Sequence, residues 1–342
     1  MRKKICILSI DGGGIRGIIP AKILVRLEEL LQEYSQNSQA RLSDYFDLIA
    51  GTSTGSILTA LYLCPSDEGQ PSAKYTAKEA LDLYLQEGPK LFERSWTTKV
   101  IDHFGLTHPL YKANHLESLL TTHLGDLKLS DLLKPCLIPS YDIESGKAVF
   151  FNQMSARKNA SRNFLVKDAV RASTAAPTFF PVKHVLNQVT HLSHTFIDGG
   201  LVANNPTLCA YVEACKLKDY SKTNDIMILS LGTGAVDKTY TYDQAKKWGK
   251  IGWIVPLIHI YGSVGSQTVD HQLQMLYRQH HVPTQYLRIE PNLTDFEVNH
   301  DMDDASVKNI LALEYVGEQM IEAYDEQLKS FARQLQLNQS MR

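Results

Sequence analysis

No stretch of the chain approaches the roughly eighteen uninterrupted apolar residues of a spanning helix, which excludes a helical membrane protein. Neither charge is in excess: 35 Lys and Arg stand against 37 Asp and Glu, a net charge of −2. With a pI near 6.6 there is no basic field to hold DNA or RNA. The five cysteines (Cys6, Cys64, Cys136, Cys209 and Cys215) never fall into C-x-x-C spacing. An odd number in mostly apolar settings reads as reduced core thiols, hence a cytosolic chain and not a disulfide scaffold. Met1-Arg-Lys-Lys resembles the start of a signal peptide, but the apolar run behind it ends at Asp11 and no small-residue cleavage site follows. Internal repeats, low-complexity segments and clean linkers are also missing. What remains is 342 residues with 44% hydrophobic content, enough for one large α/β domain. That domain is expected over 5–325, with 240–342 as its C-terminal cap or regulatory part.

The periodicity predicts how the chain opens. Lys3–Ile10 is a short β-branched run ended by glycines, a buried strand. Ile18–Ser35 carries apolar residues at 19, 23, 24, 27, 30 and 31, a helical stripe with Pro20 in its tolerated first turn. Asp47–Ala50 reads as a second buried strand and Ser56–Leu63 as an apolar helix. This is strand, glycine loop, helix, strand, turn, helix: the start of a parallel sheet with crossover helices. Beyond a polar loop at 65–75, Thr76 and Glu79 form a capping box for a helix through Tyr84. Further helices are expected at Asn114–Leu124, Val166–Ala175 and from Pro206, and one long amphipathic helix at Ala305–Gln334. Strands are expected at Leu137–Asp142 paired with Ala148–Asn152, and at Thr195–Ile197, Asp225–Leu231 and Tyr286–Ile289.

Two glycine-rich turns carry the chemistry. Gly51-Thr-Ser-Thr-Gly55 fits G-x-S-x-G, in which the serine sits on a strained strand-to-helix turn and only glycines fit at its flanks. A five-residue pattern recurs by accident, and a bland small-residue turn is the competing reading. Its place between Phe46-Asp-Leu-Ile-Ala50 and an apolar helix favours Ser53 as a nucleophile. Asp11-Gly-Gly-Gly-Ile-Arg-Gly17 also fits G-x-G-x-x-G, so a dinucleotide site competes here. That site wants an acid closing the second strand roughly 20 residues further on, where this chain has Ala50, Gly51 and the serine turn; a Walker lysine is missing too. The same glycine amides serve equally as donors to an oxyanion, and two adjacent strand-end turns face one crevice. A serine needs a base, and Asp198, a strand-end acid before Gly199-Gly200, is the most pointed candidate; a tight turn is the alternative. Of the twelve histidines, His184, His191 and His194 cluster in a polar, loop-like stretch. His271, His280 and His281 lie without a partner motif, so each reads as a solvated or core histidine.

These blocks, in this order, resemble the patatin-like phospholipases. The resemblance rests on Asp11–Gly17, Gly51–Gly55, Ala172-Ser173 with Pro177, and Asp198-Gly-Gly200. Asn204-Asn205-Pro206, Ser230–Gly234 and Met302–Ser306 extend it over about 5–325. It implies a three-layer α/β/α fold around a central, mostly parallel sheet. It implies a Ser53–Asp198 dyad without histidine and an oxyanion hole built by Gly12, Gly13, Gly14 and Arg16. In that hole the Gly13 and Gly14 amides donate while Arg16 shapes the loop, standing where plant patatins often carry lysine. Gly17, Gly51, Gly55, Gly199 and Gly200 support these motifs. The implied activity is a phospholipase A type hydrolysis of glycerophospholipids through an acyl-enzyme, with no metal or cofactor. The implied partner is a membrane phospholipid, met peripherally by a cytoplasmic protein. Some compact bacterial members are phospholipases switched on by cyclic oligonucleotides in antiphage defence, which adds such an activator and a homo-oligomer as expectations. A binding or storage protein with little turnover is the alternative.

Two features stay outside these motifs. Asp301, Asp303 and Asp304 lack the spacing and glycine of a calcium loop, and Asp304 is expected to cap the following helix. Trp248–Ile260 is the most apolar tract, readable as an interface-seeking flap or as a packed part of the C-terminal cap.

Overall fold

Strand β1 (Ile5–Ile10) is buried along its whole length and alternates its side chains between two cores. Cys6, Leu8 and Ile10 enter the larger core and Ile5 and Ile7 the smaller one, the period of two that pleating imposes. The computed structural model describes residues 3–66, 72–93, 109–217, 222–236 and 239–341, and in the helix at 250–279 the side chains of 250, 251, 254, 255, 258 and 259 are not described. The expected polar loop at 65–75 therefore falls partly outside the described residues, as do Met1 and Arg2.

The remaining strands are β2 (Leu48–Gly51), β3 (Cys136–Asp142), β4 (Lys147–Asn152), β5 (Lys183–Leu186), β6 (Ser193–Asp198), β7 (Ile226–Leu231) and β8 (Tyr286–Ile289). They form one eight-stranded sheet in the order β5-β6-β3-β2-β1-β7-β8, with β4 paired to β3. The run β3-β2-β1-β7-β8 is parallel, whereas β4, β5 and β6 join antiparallel. Among the described residues the helices of eight or more residues are α1 (Ile18–Ser35), α2 (Thr54–Leu63), α3 (Ala77–Leu91), α4 (Asn114–Leu124), α5 (Val166–Ser173), α6 (Thr207–Ala214), α7 (Lys250–Gln279), α8 (Val307–Ala323) and α9 (Asp325–Gln339). Helices α1 to α5, α8 and α9 supply the larger core and α6 and α7 the smaller. The result is the expected three-layer α/β/α arrangement around a mostly parallel sheet.

The local signals held at most boundaries. Thr76 caps α3 and Glu79 returns the bond to its amide, although the helix runs on to Leu91 past Pro89. The β3–β4 hairpin turns through 143–146 with Gly146 at φ 66°. Three expectations change. Lys183–Leu186 pairs with Ser193–Asp198 as a hairpin, so His184 and His194 stand on strands and not in a loop. The long C-terminal helix is two, broken at Tyr324, and both halves lie against α1, where Leu313, Val316, Leu328, Phe331 and Leu335 enter the larger core. Ser306, not Asp304, caps α8, because its hydroxyl reaches the Asn309 amide. Asp304 instead accepts from Ser306 N and Asn299 Nδ2.

One detail of the sheet positions the site. Along one edge, β3 is paired with β4. Along its other edge it pairs first with β2, at Cys136 and Leu137, and then with β6, at Ser140 to Asp142. Since β2 runs parallel and β6 antiparallel to β3, the two strands meet end to end. The residues leaving β2 and the last residue of β6 are thereby brought together.

Candidate active site

Ser53 follows β2 by two residues and opens α2 with φ 52° and ψ −118°, a left-handed conformation that a serine adopts only under constraint. The constraint is visible. The Ser53 amide donates to Ser173 Oγ at 3.0 Å, and Ser56 Oγ donates to the Ser53 carbonyl at 2.6 Å. Thr52 Oγ1 donates to the Ala203 carbonyl at 2.6 Å. A Cβ on Gly51 would overlap the Gly55 carbonyl, and one on Gly55 would overlap that of Ile10, so both flanks must stay bare. The Ser53 hydroxyl makes no capping bond to its own helix. It donates to Asp198 Oδ2 at 2.7 Å, across 145 residues of sequence.

Asp198 ends β6 and is buried. Its other oxygen accepts the Gly200 amide at 2.6 Å, while Gly199 N–H is held by the Ser173 carbonyl at 3.2 Å. Burial pushes the carboxyl up to about 6, against the pull of the Gly200 and Ser53 hydrogen bonds. A carboxylate so placed is a better proton acceptor near neutrality than a solvated one. Among the described residues no histidine is hydrogen-bonded to Ser53 or Asp198. His194 Nδ1 instead meets Asp142 Oδ2 at 2.9 Å, and His184 lies 3.4 Å from Thr195 Oγ1.

The glycine loop lies directly against the serine: a Cβ on Gly12 would stand 3.2 Å from Ser53 Cβ. Gly12 itself is not a free donor, contrary to its expected share in the oxyanion hole. Its amide goes to the Asn204 carbonyl at 3.1 Å and its carbonyl accepts Thr233 Oγ1 at 2.7 Å. The Ile15 amide is taken by Met302 O and that of Arg16 by Gly13 O. Gly13 and Gly14 are left as the two loop amides without an acceptor among the described residues. Two convergent donors suit a single oxyanion, whereas a phosphate cradle draws on a longer run of amides. Gly14 has φ 60°, and a Cβ there would overlap the Met302 carbonyl. Arg16 is buried with its Nε 3.4 Å from the Gly13 carbonyl, so it props the loop from behind. Burial lowers its guanidinium to about 10, with Glu290 and Asp301 opposing. Gly17 packs against the side chains of Thr54 and Tyr84, which bond to each other at 2.7 Å.

Behind the loop stands a buried ion pair that no motif announced. Arg288 on β8 holds both oxygens of Asp11, at 2.9 and 2.6 Å, bonds Ser230 Oγ at 2.8 Å, and touches Glu290. Burial alone would lower the guanidinium, but Asp11 and Glu290 push it up. A lone arginine inside Tyr-Leu-Arg-Ile was the available sign, since a charge in a buried strand needs a counter-charge. Ser173, Asn204 and Thr233 fall inside the motif blocks, but nothing in the local sequence assigns them these contacts.

A serine on a strained elbow, a buried carboxylate as acceptor and a pair of spare amides can perform acyl transfer. The family profile of the patatin-like phospholipases matches residues 8–211. Patatin-2-Kuras 3 of Solanum tuberosum is 34% identical over 366 residues, covering 99% of this chain and 91% of that protein. The chain belongs to the patatin-like phospholipases. Patatin-04/09 of the same plant is also 34% identical, over 373 residues, with 100% and 92% covered. The membership makes this patatin-like protein a lipid acyl hydrolase, an enzyme of the carboxylic ester hydrolase class. Among solved structures, VipD from Legionella pneumophila aligns with TM-score 0.36 and 9% identity, over 93% of this chain and 67% of that one. No helix among the described residues is long and apolar enough to cross a membrane.

Proposed function

We propose that this patatin-like enzyme is a phospholipase A that releases fatty acids from membrane glycerophospholipids through a Ser53–Asp198 dyad. The observation that carries the reading is the 2.7 Å bond from Ser53 Oγ to Asp198 Oδ2, made by a hydroxyl on a strained turn beside two unused amides. Ser53 Oγ attacks the ester carbonyl as its proton passes to Asp198. The carbonyl oxygen takes the charge and is held by the Gly13 and Gly14 amides. Collapse breaks the ester C–O bond, and Asp198 returns the proton to the leaving lysophospholipid alkoxide. Water then attacks the acyl-enzyme, giving its proton to Asp198. Fatty acid departs and the proton goes back to Ser53.

A storage role with little turnover is the competing reading. It gives no reason to keep a strained serine and a buried carboxylate in contact, a conformation that costs about 1–3 kcal/mol. The test is fatty-acid release from phospholipid vesicles, followed by mass spectrometry, for wild type and Ser53→Ala. Release by the wild type alone supports the proposal, and equal profiles favour storage. Parallel runs with a cyclic oligonucleotide ask whether the enzyme is a gated effector of the antiphage kind. A steep rise on its addition would say so, and an unchanged rate would make it constitutive.

A further inference from the structure

Helix α7 is uneven. Its C-terminal half buries Leu273 and Tyr277 in the smaller core, with Val269 and Leu276 packed beside them. Its N-terminal half carries Leu257, Ile260, Tyr261 and Val264, at spacing i, i+3, i+4 and i+7, exposed by 53%, 37%, 54% and 49%. Trp253, one turn earlier, continues the same stripe and is also exposed. Four large apolar side chains in a row, uncovered on one helix face, are a surface awaiting contact.

The stripe adjoins the catalytic turn. Tyr261 Oη donates to the Leu201 carbonyl at 2.7 Å, and Leu201, three residues after Asp198, is itself exposed. Two residues beyond Val264, on the side of the helix turned towards the sheet, Ser266 Oγ donates to Asp11 Oδ2 at 3.3 Å, just before the glycine loop. Whatever covers this face is therefore held beside the mouth of the Ser53–Asp198 site.

The residues leading into α7 indicate what that is. Tyr240 and Trp253 both pack edge-on against Trp248, with ring centroids 5.0 Å apart in each case. Lys246 lies over the ring of the exposed Tyr242 and pairs with Asp243, and Lys247 is exposed beside them. Tyrosine and tryptophan rings with polar edges, interleaved with lysines, suit a boundary where hydrocarbon gives way to headgroups. A protein–protein interface core is instead depleted of lysine.

We propose that the exposed face of α7 at 253–264, with the Tyr240–Trp248 cluster before it, docks the enzyme onto the surface of a phospholipid layer and so delivers ester groups to Ser53. The choice of a lipid layer as occupant rests on the phospholipase reading, but the test does not measure hydrolysis. Ser53→Ala protein, which leaves vesicles intact, is sedimented with vesicles of phosphatidylcholine and phosphatidylglycerol in equal parts. It is compared with the same protein also carrying Leu257→Gln and Val264→Gln, and with one carrying Lys247→Glu. Both positions of the double variant are exposed, so its melting temperature is expected to match the parent's. The double variant should bind vesicles at least about tenfold more weakly, since affinity follows the apolar area inserted. Lys247→Glu should weaken binding to the mixed vesicles while changing that to pure phosphatidylcholine little. Equal binding of parent and double variant, or no binding by the parent, would overturn the proposal. So would a parent that sediments as a dimer which the double substitution makes monomeric, since a second copy would then be the occupant. Vesicle binding by the Ser53→Ala parent, together with no fatty-acid release by the wild type, would leave the docking face standing and remove the phospholipase reading instead.

Discussion

Asp198 bears a cost that a surface aspartate does not, because burial lifts its carboxyl from 3.8 to about 6. Between those values the native state holds a proton that the unfolded chain has already lost. Stability therefore falls as pH rises through that window, and the full penalty is present above pH 6. Two units correspond to about 3 kcal/mol at most. Asp198→Asn removes the charge, and its amide would donate to Ser53 Oγ while its oxygen keeps the Gly200 amide. The variant should lose about 10²–10⁴-fold in ester hydrolysis, the usual loss with a general base. It should melt higher than wild type at pH 8 and level with it near pH 4. A lower melting temperature at pH 8 would show that the carboxylate is not a burden on the fold.

Gly14 is the second residue with an outsized role. Alanine there must hold φ 60° and push aside a backbone carbonyl, Met302 O, which no rotamer change can move. Gly14→Ala should lower kcat by about 10²–10³-fold through the lost oxyanion donor. It should also lower the melting temperature, as the 300–306 segment is displaced. Met302→Ala in the same chain should restore neither, because the clash lies with the backbone. Recovery in the double variant would place the conflict in the Met302 side chain.

At the scale of elements, β8 is attached to the site through one side chain. Arg288 reaches from the end of β8 past β7 to Asp11 at the end of β1, and Ser266 of α7 meets the same carboxylate. Arg288→Met would leave Asp11 buried without its counter-charge, a loss of about 3–5 kcal/mol read from denaturant unfolding. Adding Asp11→Asn should return much of that stability, since the pair is then gone as a whole. If the two losses simply add, Arg288 and Asp11 act independently. Arg288→Lys should fall between, a single ammonium being unable to hold both oxygens.

The elements also show where sequence patterns reach their limit. The β–loop–α opening was legible because its periodicity is local and glycines mark its ends. The hairpin of β5 and β6 was not: Lys183–Leu186 and Ser193–Asp198 alternate poorly, with several exposed positions, and gain their order from pairing with each other and, through β6, with β3. The break at Tyr324 was hidden for the opposite reason. No proline or glycine marks it, and the apolar stripe continues through it because both α8 and α9 face α1.

For the whole molecule, the proposed dyad, with one buried carboxylate as the proton acceptor, predicts a simple pH profile. For a soluble ester, kcat/KM should rise with unit slope, turn over near pH 6 and stay level above it, because Asp198 must be ionised to accept the serine proton. A bell-shaped profile, or one whose midpoint moves on His194→Ala, would instead bring in a histidine.

The order of motifs, the alternating strands, the capping box at Thr76 and the pairing of a serine turn with a glycine loop all lie in the sequence, since each depends on residues a few positions apart. Sequence alone therefore determined the fold class and the residues bound for one crevice. Tertiary structure decided how they meet there. Ser53 meets Asp198 only because β2 and β6 share an edge of β3 and end against one another. Gly12 is lost as a donor, and Gly13 and Gly14 remain, because Asn204 and Met302 arrive from far along the chain to take the neighbouring amides. The Trp253–Val264 face is uncovered because α7 outruns the core its other half packs on. Such facts follow from what lies across a gap in space, and a one-dimensional pattern has no term for that distance.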